Sequence, residues 1–316
     1  MVSAIITTKN RLELLKRAFK SVLKQTYSNI EILIVDDNSN DGTKEYCESL
    51  LEKYDNLKYI YINEKDSNGA NYARNMGIKK ANGEYIAFLD DDDEWYPEKI
   101  ERLVYAFNNS YNKNLGLIFS ATEKINSYSN GRYIFRKILK HNIKVNLNTA
   151  HRILFDNFIG NTSNPLIKKS ALIDVGCFDE DLKLMQDFEL WIRICQKYDV
   201  LYVDEPLIKY YSENNLRYQV TNSIENFILS REYINKKHKK KFDKLTKKEK
   251  KVLTMSDYRI ICDRSLMIND KKKYRKYALK LLKLKFNKKN IAKYLLSFID
   301  FKLYIKLKLI YMLKKS

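Results

Sequence analysis

At 316 residues the chain can bury one substantial core, with room for a smaller appended unit. Its apolar content is ordinary, and 8 glycines and 3 prolines exclude a collagen-like chain and argue against disorder. The net charge of +20 suggests nucleic acid until it is located: residues 1–216 carry 29 Lys and Arg against 31 Asp and Glu, while residues 217–316 carry 30 against 8.

The basic excess thus belongs to the last hundred residues and points to a polyanionic surface, although a general abundance of Lys, Asn, Ile and Tyr explains it equally well. Cys47, Cys177, Cys195 and Cys262 are scattered, without C-x-x-C or a neighbouring histidine, and read as reduced cytosolic thiols. No basic start followed by an apolar stretch and a cleavage site is visible, so secretion is not expected.

The first half alternates strand and helix patterns. Residues 3–8 (SAIITT) read as a buried strand, 11–24 as a helix, 30–35 (IEILIV) as a strand, 43–54 as a helix and 58–62 as a strand. A helix over 70–80, a strand at 85–89 (YIAFL) and a helix over 97–107, opened by its proline, follow. Beyond them the pattern predicts a strand at 115–120, helices at 150–155 and 187–197, and a strand at 200–203. From about residue 222 the chain reads as helical and lysine-rich, and charge alone sets a boundary near 215. Such β-α repeats build a mostly parallel sheet with helices on both faces, whose ligands bind at the carboxyl ends of strands.

Polar residues gather at those strand ends: Thr7, Thr8, Asn10 and Arg11, then Asp36, Asp37, Ser39 and Asp41, then Asp90 to Asp93 with Glu94 and Trp95. Four adjacent carboxylates raise one another's pKa unless a cation compensates, and Mg²⁺ or Mn²⁺ suits such oxygens. The other reading is that Asp92 or Asp93 caps the helix near Pro97. No G-x-G-x-x-G follows a strand, and no nucleic-acid-binding pattern occurs, so a dinucleotide enzyme and a nucleic-acid partner are not expected.

In order and spacing, SAIITTKNR, KQTYSNIEILIVDDNSNDGT, the G-x-x-x-A-R-N-x-G-I of residues 69–78 and GEYIAFLDDDDEW of residues 83–95 resemble the donor half of the family 2 glycosyltransferases. GCFDE at 176–180 and QDFELWIR at 186–193 resemble that family's acceptor half. The resemblance implies a GT-A-type, doubly wound, mixed and mostly parallel sheet over residues 1–215, with a donor half (1–110), an acceptor half (111–215) and a helical basic region (216–316). It implies inverting transfer from a nucleotide-sugar, with UDP as the nucleotide, to a glycan or lipid-linked glycan. Thr7, Asn10, Arg11, Asp36, Asp37, Arg74 and Asp91 would meet the donor; Asp37 would take the base edge and Arg74 the diphosphate or sugar. Asp90 and Asp92 stand at the acids of the D-x-D motif, with Asp92 the direct ligand of Mn²⁺ or Mg²⁺. Asp187 stands at the general base.

Two departures are visible. Gln186 replaces the family's usual Glu, and the stretch from Tyr210 to Asn214 lacks R-x-H, leaving Glu213 at the histidine position. Retention of Asp90, Asp92 and Asp187 disfavours a non-catalytic sugar-binding module. Residues 277–286 and 291–313 mix apolar and basic side chains, which suggests peripheral contact with an anionic membrane on its cytoplasmic face; the alternative is a packed helical appendage or dimer surface.

Overall fold

The structure is a computed structural model that describes residues 1–128, 133–140, 148–213 and 223–298. The chain divides into two compact units, Met1–Asn215 and Leu216–Ser316.

The first unit opens with β1 (Val2–Thr8), α1 (Leu12–Leu23), β2 (Ile30–Asp36), α2 (Thr43–Leu51), β3 (Leu57–Tyr61), α3 (Ala70–Lys80) and β4 (Tyr85–Asp90). The four strands pair in parallel in the order β3-β2-β1-β4. β2 is buried at every residue, which is why it reads as an unbroken apolar run rather than an alternating one. On one face Ala4, Ile6, Ile32, Ile34, Ala87 and Leu89 pack against Leu15, Phe19 and Val22 of α1 and Cys47 and Leu50 of α2. α3 packs on β1 and β2 so closely that a Cβ on Gly77 would come within 2.6 Å of Ile5 Cγ2. Only glycine permits that approach.

The chain continues through β5 (Glu94–Trp95), α4 (Lys99–Asn108), β6 (Leu115–Tyr128), β7 (Tyr133–Leu139), α5 (Thr149–Arg152), β8 (Leu166–Lys168), α6 (Lys169–Asp174), α7 (Gln186–Lys197) and β9 (Asp199–Glu213). These extend the sheet as β4-β8-β6-β9-β5, with β7 on β6. Among the described residues β1 to β4, β6 and β9 run one way, and β5, β7 and β8 oppose them. The sheet is therefore mixed and mostly parallel, as expected. β1 lies between β2 and β4, so the order reverses there, and Thr7 pairs with Asp90 at that switch point.

Three expectations need correction. The strands anticipated at 115–120 and 200–203 extend to Tyr128 and Glu213. Register shifts around Ala121, opposite Pro206, break the alternation that would have announced their outer halves. Pro97 precedes α4, which starts at Lys99 with Glu98 as its cap.

The second unit holds α8 (Ile224–Lys237), α9 (Lys239–Phe242), α10 (Lys247–Met267), α11 (Lys271–Leu284) and α12 (Lys288–Leu296). Ser223, Thr246, Asp270 and Asn287 cap four of these helices through side-chain oxygens. Tyr274, Ala278 and Leu281 of α11 bury against Met255 and Cys262 of α10. The apolar side of the segment 277–286 is thus partly spent on packing within the unit. No described helix is long and apolar enough to cross a membrane, and residues 299–316, which include most of the segment 291–313, lie outside the described residues.

Candidate active site

Asp36 and Asp37 end β2 side by side but have different surroundings. Asp36 is fully buried and both its oxygens are used: Oδ1 accepts from the Ser39 N–H at 2.9 Å and Oδ2 from the Tyr59 hydroxyl at 2.8 Å. Burial and the Asp36 charge push the Tyr59 hydroxyl far up, so it stays a donor. Asp37 receives the Lys9 ammonium on Oδ2 at 3.3 Å, while its buried Oδ1 has no partner. An orphaned buried acceptor of this kind fits an incoming N–H donor. Both Asp36 oxygens thus already serve the loop and β3, whereas Asp37 keeps one buried oxygen open.

Asn10 adopts a left-handed φ of 53° and ties two strand-end loops together. Its N–H donates to Ser39 Oγ at 2.8 Å and its Oδ1 accepts from the Asn40 N–H at 2.7 Å. Thr7 is half-buried at the end of β1, while the neighbouring Thr8 hydroxyl donates to Asp91 Oδ2 at 2.8 Å.

The acidic run alternates. Asp91 and Asp93 are buried, whereas the Asp90 and Asp92 side chains keep 28% and 24% of their surface exposed. Asp93 accepts from Asn161 Nδ2 at 2.7 Å and from the Tyr211 N–H at 3.3 Å. Asp91 accepts from Thr8 and, at 3.0 Å, from Arg11. Asp90 receives Arg74 at 2.7 Å, and its N–H donates to Ser163 Oγ at 3.0 Å. Asp92 receives Arg11 at 3.3 Å, and its backbone oxygen receives Arg17 at 2.6 Å. Three arginines therefore already offset much of the charge that the sequence alone left to a metal. Even so, burial pushes Asp91 up to about 6 against the pull of Arg11. Burial and the Asp90 charge raise Asp92, and burial with Asp92 and Asp90 raises Asp93 well above the carboxylate range. The helix-cap reading of Asp92 or Asp93 fails, because β5 intervenes before α4.

Asp187 sits in the first turn of α7, after Met185 in a left-handed conformation. It is half-buried, and its Oδ1 accepts from the Phe188 N–H at 2.6 Å. Burial raises it to about 6; the Phe188 N–H and Arg74 oppose that shift, and Asp90 adds to it. Asp187 thus shares its electrostatic environment with the Arg74–Asp90 pair, far away in sequence. α7 is anchored by Trp191, buried in the core, whose Nε1 donates to the Gly160 carbonyl at 3.0 Å. Arg193 bonds buried Glu189 at 2.7 Å and the Cys177 carbonyl at 2.6 Å, fixing the turn around Gly176.

Several contributors escaped the sequence reading. Asn71 donates to the carbonyls of Asp179 (2.8 Å) and Leu182 (2.9 Å), and Asn75 to the Phe178 carbonyl (2.9 Å). Spaced i,i+4 around Arg74, they tie α3 to the turn that leads towards α7. Arg17 stacks 4.1 Å from the Tyr211 ring centroid. Burial, with the charges of Asp93, Asp92, Asp90 and Asp187, pushes the Tyr210 hydroxyl far up, so it stays protonated. All four cysteines are free. The Glu213 side chain lies outside the described residues.

Among the described residues no three His, Cys, Asp or Glu side chains are grouped to hold a metal unaided. Asp90 and Asp92, both partly exposed, nonetheless fit a Mg²⁺ or Mn²⁺ ion completed by substrate phosphates, since these ions take one or two carboxylates in such sites.

A mixed, mostly parallel sheet with this acid-lined carboxyl edge is the architecture of GT-A glycosyltransferases. Residues 3–176 match the model of glycosyl transferase family 2, and the chain belongs to that family. The putative colanic acid biosynthesis glycosyl transferase WcaA of Escherichia coli is 30% identical over 258 residues, 78% of this chain and 85% of its own length. The chain spans 63% of the length of an uncharacterized Rickettsia typhi glycosyltransferase to which it is 33% identical over 66% of itself. Among solved structures, S. aureus TarS in complex with UDP aligns with TM-score 0.53 at 17% identity, over 94% of this chain and 88% of its own. The mannosyltransferase PcManGT of Pyrobaculum calidifontis, in complex with GDP-Man and Mn²⁺, aligns with TM-score 0.55 at 15% identity, over 95% and 87%.

Proposed function

We propose that this glycosyltransferase moves a sugar from a UDP-sugar to a hydroxyl of a glycan or lipid-linked glycan, with inversion and with help from Mn²⁺ or Mg²⁺. The observation that carries the reading is that Asp187, a half-buried acid raised to about 6, shares its surroundings with Asp90 and Arg74 at the sheet edge. An acid with a pKa near working pH is suited to proton abstraction.

In this reading Asp37 Oδ1 accepts a hydrogen bond from the base, Thr7 lies beside the base or ribose, and Asp91 lines the ribose side. Arg74 donates to the diphosphate or sugar. Asp187 takes the proton of the acceptor hydroxyl as its oxygen bonds the anomeric carbon and the bond to the diphosphate breaks on the opposite face. Asp90 and Asp92 would hold the metal ion, which when bound would supply positive charge for the departing diphosphate. UDP is favoured by the family resemblance and by the UDP complex of TarS, and Mn²⁺ by the PcManGT complex. The WcaA relative supports a role in surface polysaccharide assembly.

The second unit, with its basic surplus and the exposed side chains of Phe286, Leu295 and Phe298, would rest on the cytoplasmic face of an anionic membrane. Flotation with liposomes of graded anionic content tests this, and indifference to anionic lipid at moderate salt would remove it.

Transfer is tested by offering a panel of nucleotide-sugars with Mn²⁺ or EDTA, to the wild type and to Asp92→Asn. Turnover confined to the metal-loaded wild type, with an inverted anomeric centre by NMR, is expected. Full activity in EDTA, or a retained configuration, contradicts the mechanism; donor binding with no turnover under any condition would favour a non-catalytic module.

A further inference from the structure

Arg11 is a cation held by two acids of different standing. Its Nη1 lies 3.0 Å from Asp91 Oδ1 and 3.3 Å from Asp92 Oδ2. Asp91 is buried and held from its other side by Thr8, so it cannot follow Arg11 if Arg11 moves. Asp92 keeps 24% of its side chain exposed and Arg11 keeps 34%, so both have solvent on one side. Arg11 stands immediately before α1, joined to Asp92 only by this contact, while Arg17 holds the Asp92 backbone oxygen and would keep the loop in place. An arginine keeps its charge at any working pH, so the guanidinium is a fixed cation beside both acids.

We propose that Arg11 is a built-in placeholder for the divalent ion: it neutralises Asp92 while the donor is absent and moves to the donor diphosphate when metal and nucleotide enter together. The inference rests on the assignment of Asp90 and Asp92 as metal ligands. A doubly charged ion on Asp92 would face the guanidinium across a single carboxylate, and like charges at that range repel strongly in a half-buried site. The described residues offer no third protein ligand to offset this. A diphosphate relieves it twice over, by ligating the metal and by giving Arg11 a new anionic partner. Metal and nucleotide binding are therefore coupled through Arg11, and reciprocity requires each to tighten the other by the same factor.

The experiment measures Mn²⁺ binding to the full chain by EPR and calorimetry, alone and with saturating UDP, for the wild type, Arg11→Gln, Arg11→Lys and Asp92→Asn. In the wild type, UDP should tighten Mn²⁺ strongly. Arg11→Gln should bind Mn²⁺ alone about tenfold more tightly and lose about the same factor from the tightening by UDP, keeping the part that comes from diphosphate ligation; Arg11→Lys, which keeps a charge but not the fork, should fall between. Should Arg11→Gln fail to fold, Arg11→Met replaces it in the same titrations, since it too removes the charge on which the placeholder role depends. Unchanged Mn²⁺ affinity in both Arg11 variants, with binding lost in Asp92→Asn, overturns the placeholder and leaves the metal site standing. Wild-type Mn²⁺ binding in Asp92→Asn overturns the metal assignment itself.

Discussion

Arg74 donates to Asp90 Oδ1 at 2.7 Å, joining a helix on one face of the sheet to the end of the strand that begins the acidic run. The arginine is buried beneath Phe178, 5.4 Å from the ring centroid, and its Nε has no partner. One arm of the fork is thus fixed on Asp90 while a further buried donor is left over.

That geometry predicts the effect of Arg74→Lys. A lysine restores the charge but neither the fork nor the stacking on Phe178. UDP affinity per folded molecule should fall roughly tenfold, about 1.4 kcal/mol, beside an earlier unfolding midpoint from the lost fork and stacking. Isothermal titration with UDP checks this; an unaltered dissociation constant would mean that Arg74 serves only Asp90.

Asp187 makes two opposed predictions. As general base it must be ionised, so turnover should rise as pH passes about 6 and level off above it. Asp187→Asn should lower the rate about 10²–10⁴-fold and abolish that limb of the profile, with UDP affinity retained. Asp91 is also raised to about 6, so the variant's residual profile is the discriminating measurement. A limb near 6 that survives in Asp187→Asn belongs to another group.

The same raised acid should cost stability. Its folded pKa lies above the usual 3.8, so the penalty is absent below about pH 4, grows between 4 and 6, and is complete above 6. Asp187→Asn keeps the acceptor for the Phe188 N–H and removes the charge. It should therefore unfold later than wild type at pH 8, by at most about 3 kcal/mol, and no later at pH 4. Equal denaturation midpoints at pH 8 would show that the acid is better solvated than its surroundings imply.

The motifs at 83–95 and 186–193 marked the acids because their spacing is local, and continuous apolar runs marked β1, β2 and β4 because both faces of those strands are buried. What the sequence hid was long-range. Nothing local says that Arg17 reaches the Asp92 carbonyl, or that Asn161 satisfies Asp93. Nor could the run of four aspartates reveal that the turn after β4, closed by the Asp93 N–H on the Asp90 carbonyl, buries Asp91 and Asp93 and leaves Asp90 and Asp92 partly exposed. The outer halves of β6 and β9 were invisible because their bulges shift the phase on which a strand reading depends.

The contrast between Asp36 and Asp37 gives the last prediction. Tyr59→Phe removes the hydroxyl that serves Asp36 Oδ2 and leaves a fully buried carboxylate oxygen without its partner. Such a loss typically costs about 1–3 kcal/mol, and it should appear as an earlier unfolding midpoint with nearly unchanged UDP affinity per folded molecule. Asp37→Asn should do the reverse. The substituted amide could still accept at one position, but its NH₂ would offer a donor where Lys9 or the base edge also donates. The fold should hold, because Asp37 contributes only the 3.3 Å contact with the half-exposed Lys9, while UDP binding weakens about tenfold or more. Measuring both variants by chemical denaturation and by UDP titration separates the roles. If Tyr59→Phe weakens UDP as much as Asp37→Asn does, Asp36 meets the nucleotide after all, and the division of labour between the two neighbours is wrong.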